Sequence, residues 1–412
     1  MVTILCSGSR GDFQPYIALA QELKKAGVPV RIAAGKSFQA FVQQYGVDIY
    51  PLTIDYKTVD LDQRFLKQAQ SADNPLKMLF AFHKMKDLIT DSVDEMYDAC
   101  AGSDLIVYHP GCAIGHFAAE NMGIPSILAA PFPMHRTKEV ASVIAYGHQR
   151  IPNLLSYSLL QGLLWMAAKS AAAIVLKKRL GKLPKQFTCP YEKVGDTHPA
   201  LISCSEFVFP RPHDWNENIH QYGYWFVDEP TEYKPSEELA RFLSAGEKPI
   251  YFGFGSVFHE DEKENFIRII SEALRLTNRR GIISGMGEGK NLPSNMFAVD
   301  SIPHSWLFSK VSAVCHHGGA GTTAAGFKAG VPSIIIPFSN DQFAWAHRAY
   351  DIGVGTKPLS RKKLTARDLA DAITAASSDQ MKDRVAKLAE QIASENGAHD
   401  CASVIIRLLT RA

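Results

Sequence analysis

A run of nine residues, Cys315-His316-His317-Gly318-Gly319-Ala320-Gly321-Thr322-Thr323, follows an apolar stretch and opens a helical pattern. Small residues at a helix start leave the first-turn N–H groups uncovered, and the helix dipole puts partial positive charge there. The segment therefore suits close approach of an anion such as a diphosphate. His317, Gly319, Ala320, Gly321 and Thr322 form the expected cradle, with His317 adding a hydrogen bond or a positive charge and Thr322 and Thr323 adding hydroxyl donors. The plainer reading is a glycine-rich turn that packs a helix on its sheet, because glycine motifs match often by chance.

Two further groups have chemistry suited to a sugar and its acceptor. Asp341-Gln342 follow the apolar run Gly330 to Phe338, and a carboxylate beside an amide fits vicinal hydroxyls, although a loop Asp also commonly caps the next helix. Near the other end, Ser7-Gly8-Ser9-Arg10-Gly11-Asp12-Phe13-Gln14-Pro15 follows the first apolar run. A carboxylate at Asp12 could take the proton from an acceptor hydroxyl, or could serve as the N-cap of the following helix.

These groups need elements to position them. Strand-like runs at Val2–Cys6, Val28–Ala33, Leu105–Tyr108 and Ser126–Ala129 alternate with helical patterns at Phe13–Ala26, Ser37–Tyr45 and Gly115–Met122. The alternation restarts with Ile250–Phe254, a helix over Glu262–Leu276, Gly281–Ser284, Ala313–His316, a helix over Gly321–Ala329, and Ser333–Ile336. Short strands linked by helices imply parallel sheets covered on both faces, so the fold class is α/β with two doubly wound Rossmann-like domains. The polar, proline-bearing segment Asp228 to Pro235 has linker composition. The expected division is an acceptor-binding domain over 1–227, a linker over 228–235 and a nucleotide-sugar domain over 236–395. A C-terminal helix over 396–412 would pack back on the first domain. The carboxyl ends of the two sheets would then line a cleft.

Bulk properties exclude several classes. The 412 residues exceed one ordinary core, and 44 Lys+Arg against 42 Asp+Glu give a net charge of only +2, so no global field favours nucleic acid. Seven isolated cysteines fit a reducing cytoplasm, and the chain enters a strand at once, without a basic leader. The stretch Leu154 to Leu176 is broken by Gln161, Lys169 and Ser170, which makes it a core helix or a membrane-surface helix rather than a span.

Taken together, Gly8 to Leu23, Phe209-Pro210-Arg211-Pro212 with Gly223-Tyr224-Trp225, Gly253-Phe254-Gly255-Ser256, Pro303 to Phe308, and the cradle through Gln342 resemble the UDP-dependent glycosyltransferases of the GT-B fold. The sterol glucosyltransferase and glycopeptide-antibiotic branch is the most similar. The resemblance implies that Ser256 and Ile302-Pro303-His304 hold the nucleotide, with Trp306 as a nearby apolar wall. It implies that Ser9, Gly11, His317, Gly319, Ala320, Gly321 and Thr322 serve the donor, that Asp341 and Gln342 read the sugar hydroxyls, and that Asp12 is the general base. Ala325 stands where many relatives carry a ribose-binding Glu, and Asp12 where many carry a His. Both departures match the sterol-type branch.

No metal or resident cofactor is expected, a UDP-sugar, with UDP-glucose the favoured donor, being the co-substrate. Asp60-Leu61-Asp62 follows no apolar strand and reads as a solvated loop, Gly285 to Asn291 lacks the phosphate-loop spacing, and adjacent His316-His317 point to opposite faces. The acceptor is expected to be hydrophobic, lying against Phe132, Met134, His135 and the helix from about Asn153. The rivals are a UDP-sugar epimerase or hydrolase on the same scaffold and a non-catalytic nucleotide-sugar or lipid-binding protein.

Overall fold

The computed structural model describes residues 1–8, 10–53, 86–147, 151–229, 233–255, 260–286, 292–300, 302–338 and 341–411. The chain forms two compact units, one of residues 1–230 with 395–412 and one of residues 231–394.

The first unit is built on a seven-stranded sheet. Its strands are Val2–Leu5 (β1), Val30–Gly35 (β2), Asp48–Leu52 (β3), Leu105–Tyr108 (β4), Ser126–Ala130 (β5), Ala200–Ile202 (β6) and Ile219–Gln221 (β7), in the order β3-β2-β1-β4-β5-β6-β7. Every pairing is parallel, with Leu5 opposite both Ala33 and Tyr108. β1, β4 and β5 are buried along their whole length, which is why they read as unbroken apolar runs rather than as alternation. The covering helices are Arg10–Lys25 (α1), Gln39–Gln43 (α2), Lys86–Ala99 (α3), Ile114–Met122 (α4) and Asn153–Leu180 (α5).

The second unit carries a five-stranded parallel sheet of Ile250–Gly253 (β8), Gly281–Ser284 (β9), Met296–Val299 (β10), Ala313–His316 (β11) and Ser333–Ile335 (β12), in the order β10-β9-β8-β11-β12. Its helices are Glu237–Ser244 (α6), Glu260–Leu276 (α7), His304–Leu307 (α8), Ala320–Lys328 (α9), Gln342–Asp351 (α10), Ala366–Ala376 (α11) and Asp379–Ala393 (α12). Phe252, Phe254, Phe266, Ile283, Ile334 and Ile373 share one core of this unit. The last helix, Gly397–Arg411 (α13), belongs to the first unit, where Cys401, Val404 and Ile405 join Ile17, Val30 and Trp225 in one core.

Both sheets reverse their order of growth at one point, between β1 and β4 in the first and between β8 and β11 in the second. Connections diverge there, and the crevice at the carboxyl ends of such a strand pair is where open α/β sheets bind ligands. Asp12, His109, Gly255 and His317 follow these four strands.

Candidate functional site

In the second unit the β11 strand ends at His316, and the chain turns through Gly318, whose φ of +92° is left-handed, before α9 begins. Any side chain at 318 would also press on Ile335 Cγ2 at 2.8 Å, so glycine is required on two counts. Gly319 is the N-cap of α9, and no side chain caps the helix. The N–H groups of Ala320, Gly321 and Thr322 therefore lie in the turn that helix geometry leaves without intrahelical acceptors.

The imidazole of His317 lies over the glycines. A Cβ at Gly319 would stand 2.6 Å from His317 Nε2, and one at Gly255, just past β8, would stand 3.4 Å from its Cε1. The ring thus joins the two loops of the switch point. Its Nδ1 is buried without a hydrogen-bond partner, and burial holds its pKa down at about 4. The unliganded side chain is neutral, so of the two roles expected for His317 the hydrogen bond is the one available. His316 accepts the Gly318 N–H on Nδ1 at 3.1 Å and is wholly buried, a bond that shapes the turn. Thr323 is also wholly buried and donates its hydroxyl to the Gly319 carbonyl at 2.9 Å, which removes it from the expected hydroxyl donors. Thr322 stays partly exposed.

His304 stands beside this crevice, stacked on Phe308 with ring centroids 4.4 Å apart and its Nε2 3.3 Å from the Tyr251 hydroxyl. Burial, with the nearby His317, lowers its pKa to about 4. Ile302 is buried and Pro303 is partly buried just before it. Trp306 packs on Tyr233 at 4.9 Å, with the Lys310 ammonium 4.4 Å over the indole. Ser256 lies outside the described residues, as do Ser9, the Asp60-Leu61-Asp62 segment and residues 287–291.

In the first unit α1 starts at Arg10, three residues before the expected Phe13, so Asp12 occupies the first turn rather than the N-cap. Gly8, at φ +127°, lies beneath its side chain, and a Cβ there would stand 2.8 Å from Asp12 Cγ. The partly exposed carboxylate is thus seated on a glycine at the carboxyl end of β1, with Gly11 exposed beside it. A second titratable group shares the place. His109 directly follows β4, donates its backbone N–H to the Leu5 carbonyl at 2.9 Å and accepts the Gly111 N–H on Nδ1 at 3.0 Å. With Nδ1 an acceptor, the neutral ring carries its proton on Nε2. Its edge meets Tyr16 at 6.0 Å, and Tyr16 lies one turn from Asp12 on the same face of α1. Burial lowers the pKa of His109, while the Asp12 charge pulls it back up. Reading the sequence for glycine-rich loops passes over His109. Its signal was a His placed directly after the apolar run Leu105 to Tyr108, the strand-end logic that selects Asp12 after β1.

Residues 2–141 match the Glycosyltransferase family 28 N-terminal domain, and residues 284–408 match the Erythromycin biosynthesis protein CIII-like, C-terminal domain. The first match contains the β1 and β4 strand ends, and the second contains α9. A sterol 3-beta-glucosyltransferase of Arabidopsis thaliana is 33% identical over 407 residues, covering 96% of this chain and 63% of that protein. A second from the same plant is 32% identical over 412 residues, covering 96% of this chain and 66% of that protein. The chain has the GT-B fold of solved glycosyltransferases. It spans about two thirds or less of the length of those two plant relatives. The solved glycotransferase of kitacinnamycin superimposes with a TM-score of 0.70 over 99% of this chain and 98% of that one, at 19% identity, a likeness that establishes the fold.

Asp341 directly precedes α10 without capping it through its side chain, and its Oδ2 instead accepts the Trp345 indole N–H at 3.0 Å. Gln342 is buried, and its Oε1 accepts the Phe338 N–H at 2.8 Å. The carbonyl oxygen of that amide is committed to the backbone. Of the residues expected against the acceptor, Phe132 is partly exposed, whereas Met134 and His135 are buried. Neither ring nitrogen of His135 has a hydrogen-bond partner, and burial pushes its pKa down to about 3. A base must be within reach of a proton, so His135 in this position is interior wall. Among the described residues no group of three or more His, Cys, Asp or Glu is placed to hold a metal ion.

Proposed function

We propose that the protein is a glycosyltransferase that moves a hexose, with glucose the favoured sugar, from a UDP-sugar to a hydroxyl of a hydrophobic acceptor such as a sterol, terpenoid, polyketide or phenolic. The supporting observation is that each sheet's switch point carries a different half of the chemistry. A carboxylate seated on Gly8 stands at one, and a helix start without a side-chain cap stands at the other. The plant relatives are named for glucosyl transfer to sterols, which supports glucose as donor sugar and a sterol-like acceptor.

In the proposed step Asp12 takes the proton from the acceptor hydroxyl as that oxygen bonds to the anomeric carbon. The carbon–oxygen bond to UDP breaks on the opposite side, its electron pair leaves on the β-phosphate oxygen, and the anomeric configuration inverts. The N–H groups from Gly319 to Thr322 and the dipole of α9 take up the leaving-group charge, a fixed electrostatic effect that requires no cation. His317 adds a neutral donor to the same phosphates. Asp341 and Gln342 bind the sugar hydroxyls, and Ile302 to His304 hold the nucleotide.

The test is incubation with UDP-glucose, with and without EDTA, against a panel of sterols, terpenoids, polyketides and phenolics, followed by mass. An acceptor that gains one hexose equally in both conditions supports the reading. Free glucose or an epimer formed from UDP-glucose alone, with no acceptor modified, replaces it with a hydrolase or an epimerase.

A further inference from the structure

The long helix α5 is apolar nearly all the way round, and among the described residues one side of it is packed while the other is largely exposed. Tyr157, Leu160, Trp165, Ala171, Ala172, Val175 and Leu176 face the interior of the first unit. On the other side Leu155 is 50% exposed, Leu159 42%, Met166 52% and Ile174 39%, so four of the ten exposed large hydrophobic residues described in the chain stand on this helix. Leu155, Leu159 and Met166 are four and seven residues apart, the spacing of a single helical row, which Gly162, Ser170 and Ala173 continue. Contiguous exposed apolar surface of this kind marks an interaction site rather than ordinary surface scatter.

The charges decide what fits it. α5 contains no acidic residue, and Lys169 lies within the exposed stretch, with Lys177 at its end and Lys182 and Lys185 just beyond. None of these four lysines takes part in an ion pair among the described residues. Lys178 and Arg179, by contrast, are held by Asp94 at 2.6 Å, and Arg179 also by Asp98 at 2.7 Å. An apolar stripe with unpaired lysines and no carboxylate complements anionic lipid, where the methylenes enter the acyl boundary and the ammonium groups meet head groups. α5 has the length and hydropathy of a span, but its inner face is tied down. Gln161 donates to the Met134 carbonyl at 3.0 Å, and Trp165 packs on Phe117 and Phe187 at 5.7 and 5.2 Å. Crossing a bilayer would break these contacts, whereas lying on one breaks none of them.

We infer that the outer face of α5 docks the protein onto an anionic membrane surface, with Leu155, Leu159 and Met166 immersed and Lys169, Lys177, Lys182 and Lys185 against the head groups. The inner face of the same helix is bonded to the loop that bears Phe132 to His135 and to its continuation, since Ser142 N–H donates to Ser156 Oγ at 2.9 Å. A lipid acceptor would therefore be approached from the docked side, although the docking itself does not depend on the transferase reading.

The experiment is flotation of the full chain with vesicles of phosphatidylcholine alone and of phosphatidylcholine mixed with phosphatidylglycerol, at low and high salt, without donor or acceptor. The wild type is expected to float with the anionic vesicles and to be released by salt. Replacing Lys169→Glu and Lys177→Glu should weaken partition roughly five-fold or more for each residue. Leu155→Ser, Leu159→Ser and Met166→Ser together should weaken it roughly ten-fold, while UDP affinity and the thermal midpoint report that the fold is kept. Wild type that stays unbound, or variants that float as well as wild type, overturn the inference. So does a wild-type dimer in light scattering that the triple variant returns to monomer, which would assign the face to a second copy.

Discussion

At the scale of single residues, the proposed base Asp12 depends on how Gly8 seats its carboxylate. Gly8 leaves room for the carboxylate because it has no Cβ, and its φ of +127° is a conformation that L side chains rarely adopt. Gly8→Ala is therefore expected to displace Asp12 and to lower turnover by roughly ten-fold or more while leaving UDP affinity unchanged, as a 1 Å misplacement of a reacting group can do. Asp12→Asn keeps the shape and removes the base, and should lower kcat by roughly 10²–10⁴-fold with the UDP dissociation constant preserved, which steady-state rates and calorimetry would separate. Unchanged kcat in Asp12→Asn would transfer the role to another group. His109, whose ring the Asp12 charge influences, is the residue to substitute next.

At the scale of elements, the proposed donor half rests on α9 and its turn. Gly319→Val would drive a branched side chain into His317 and across the first-turn N–H groups, and should weaken UDP binding by roughly ten-fold or more, consistent with the value of one oxyanion-type donor. Full affinity in that variant would show that the phosphates bind elsewhere. The elements themselves were largely legible. Leu105–Tyr108, Gly281–Ser284 and Ala313–His316 are strands over the residues expected, because strands buried on both faces read as unbroken apolar runs. β6 and β7, of three residues each, and β3, with Pro51 inside it and only Leu52 of its five residues buried, form no such run. The start of α1 was placed too late because Pro15 reads as a first-turn residue, and it sits instead inside a helix begun at Arg10. The glycine-bearing, uncapped start of α9 is legible in the sequence because glycine spacing is local. The bond from Phe338 to Gln342, the turning back of the Thr323 hydroxyl and the burial of His135 are not, since each depends on packing that residue type does not encode.

At the scale of the whole molecule, many of the histidines are interior. His116, His304 and His317 are lowered to about 4 and His135 and His198 to about 3, in every case chiefly by burial. An unfolded His titrates near 6.5, so between that value and about 4 the unfolded chain binds more protons and stability rises with pH. Each such group contributes stability that is present above about pH 6.5 and is lost as pH falls toward its folded value, by at most ~1.4 kcal/mol per pH unit. Glu395, raised to about 7 by burial, acts in the opposite sense, since its contribution is complete at low pH and lost as pH rises toward 7. Five groups outweigh one. The thermal midpoint should therefore be lower at about pH 5 than at about pH 7.5, and an equal or higher midpoint at the acid value would contradict the buried-histidine account.

The whole functional reading depends on where a nucleotide diphosphate comes to rest. A crystal structure with UDP bound in the presence of EDTA measures this directly. The predicted result puts phosphate oxygens within hydrogen-bond distance of the N–H groups from Gly319 to Thr322, with His317 alongside. Phosphates bound elsewhere, with the first turn of α9 untouched, would contradict it.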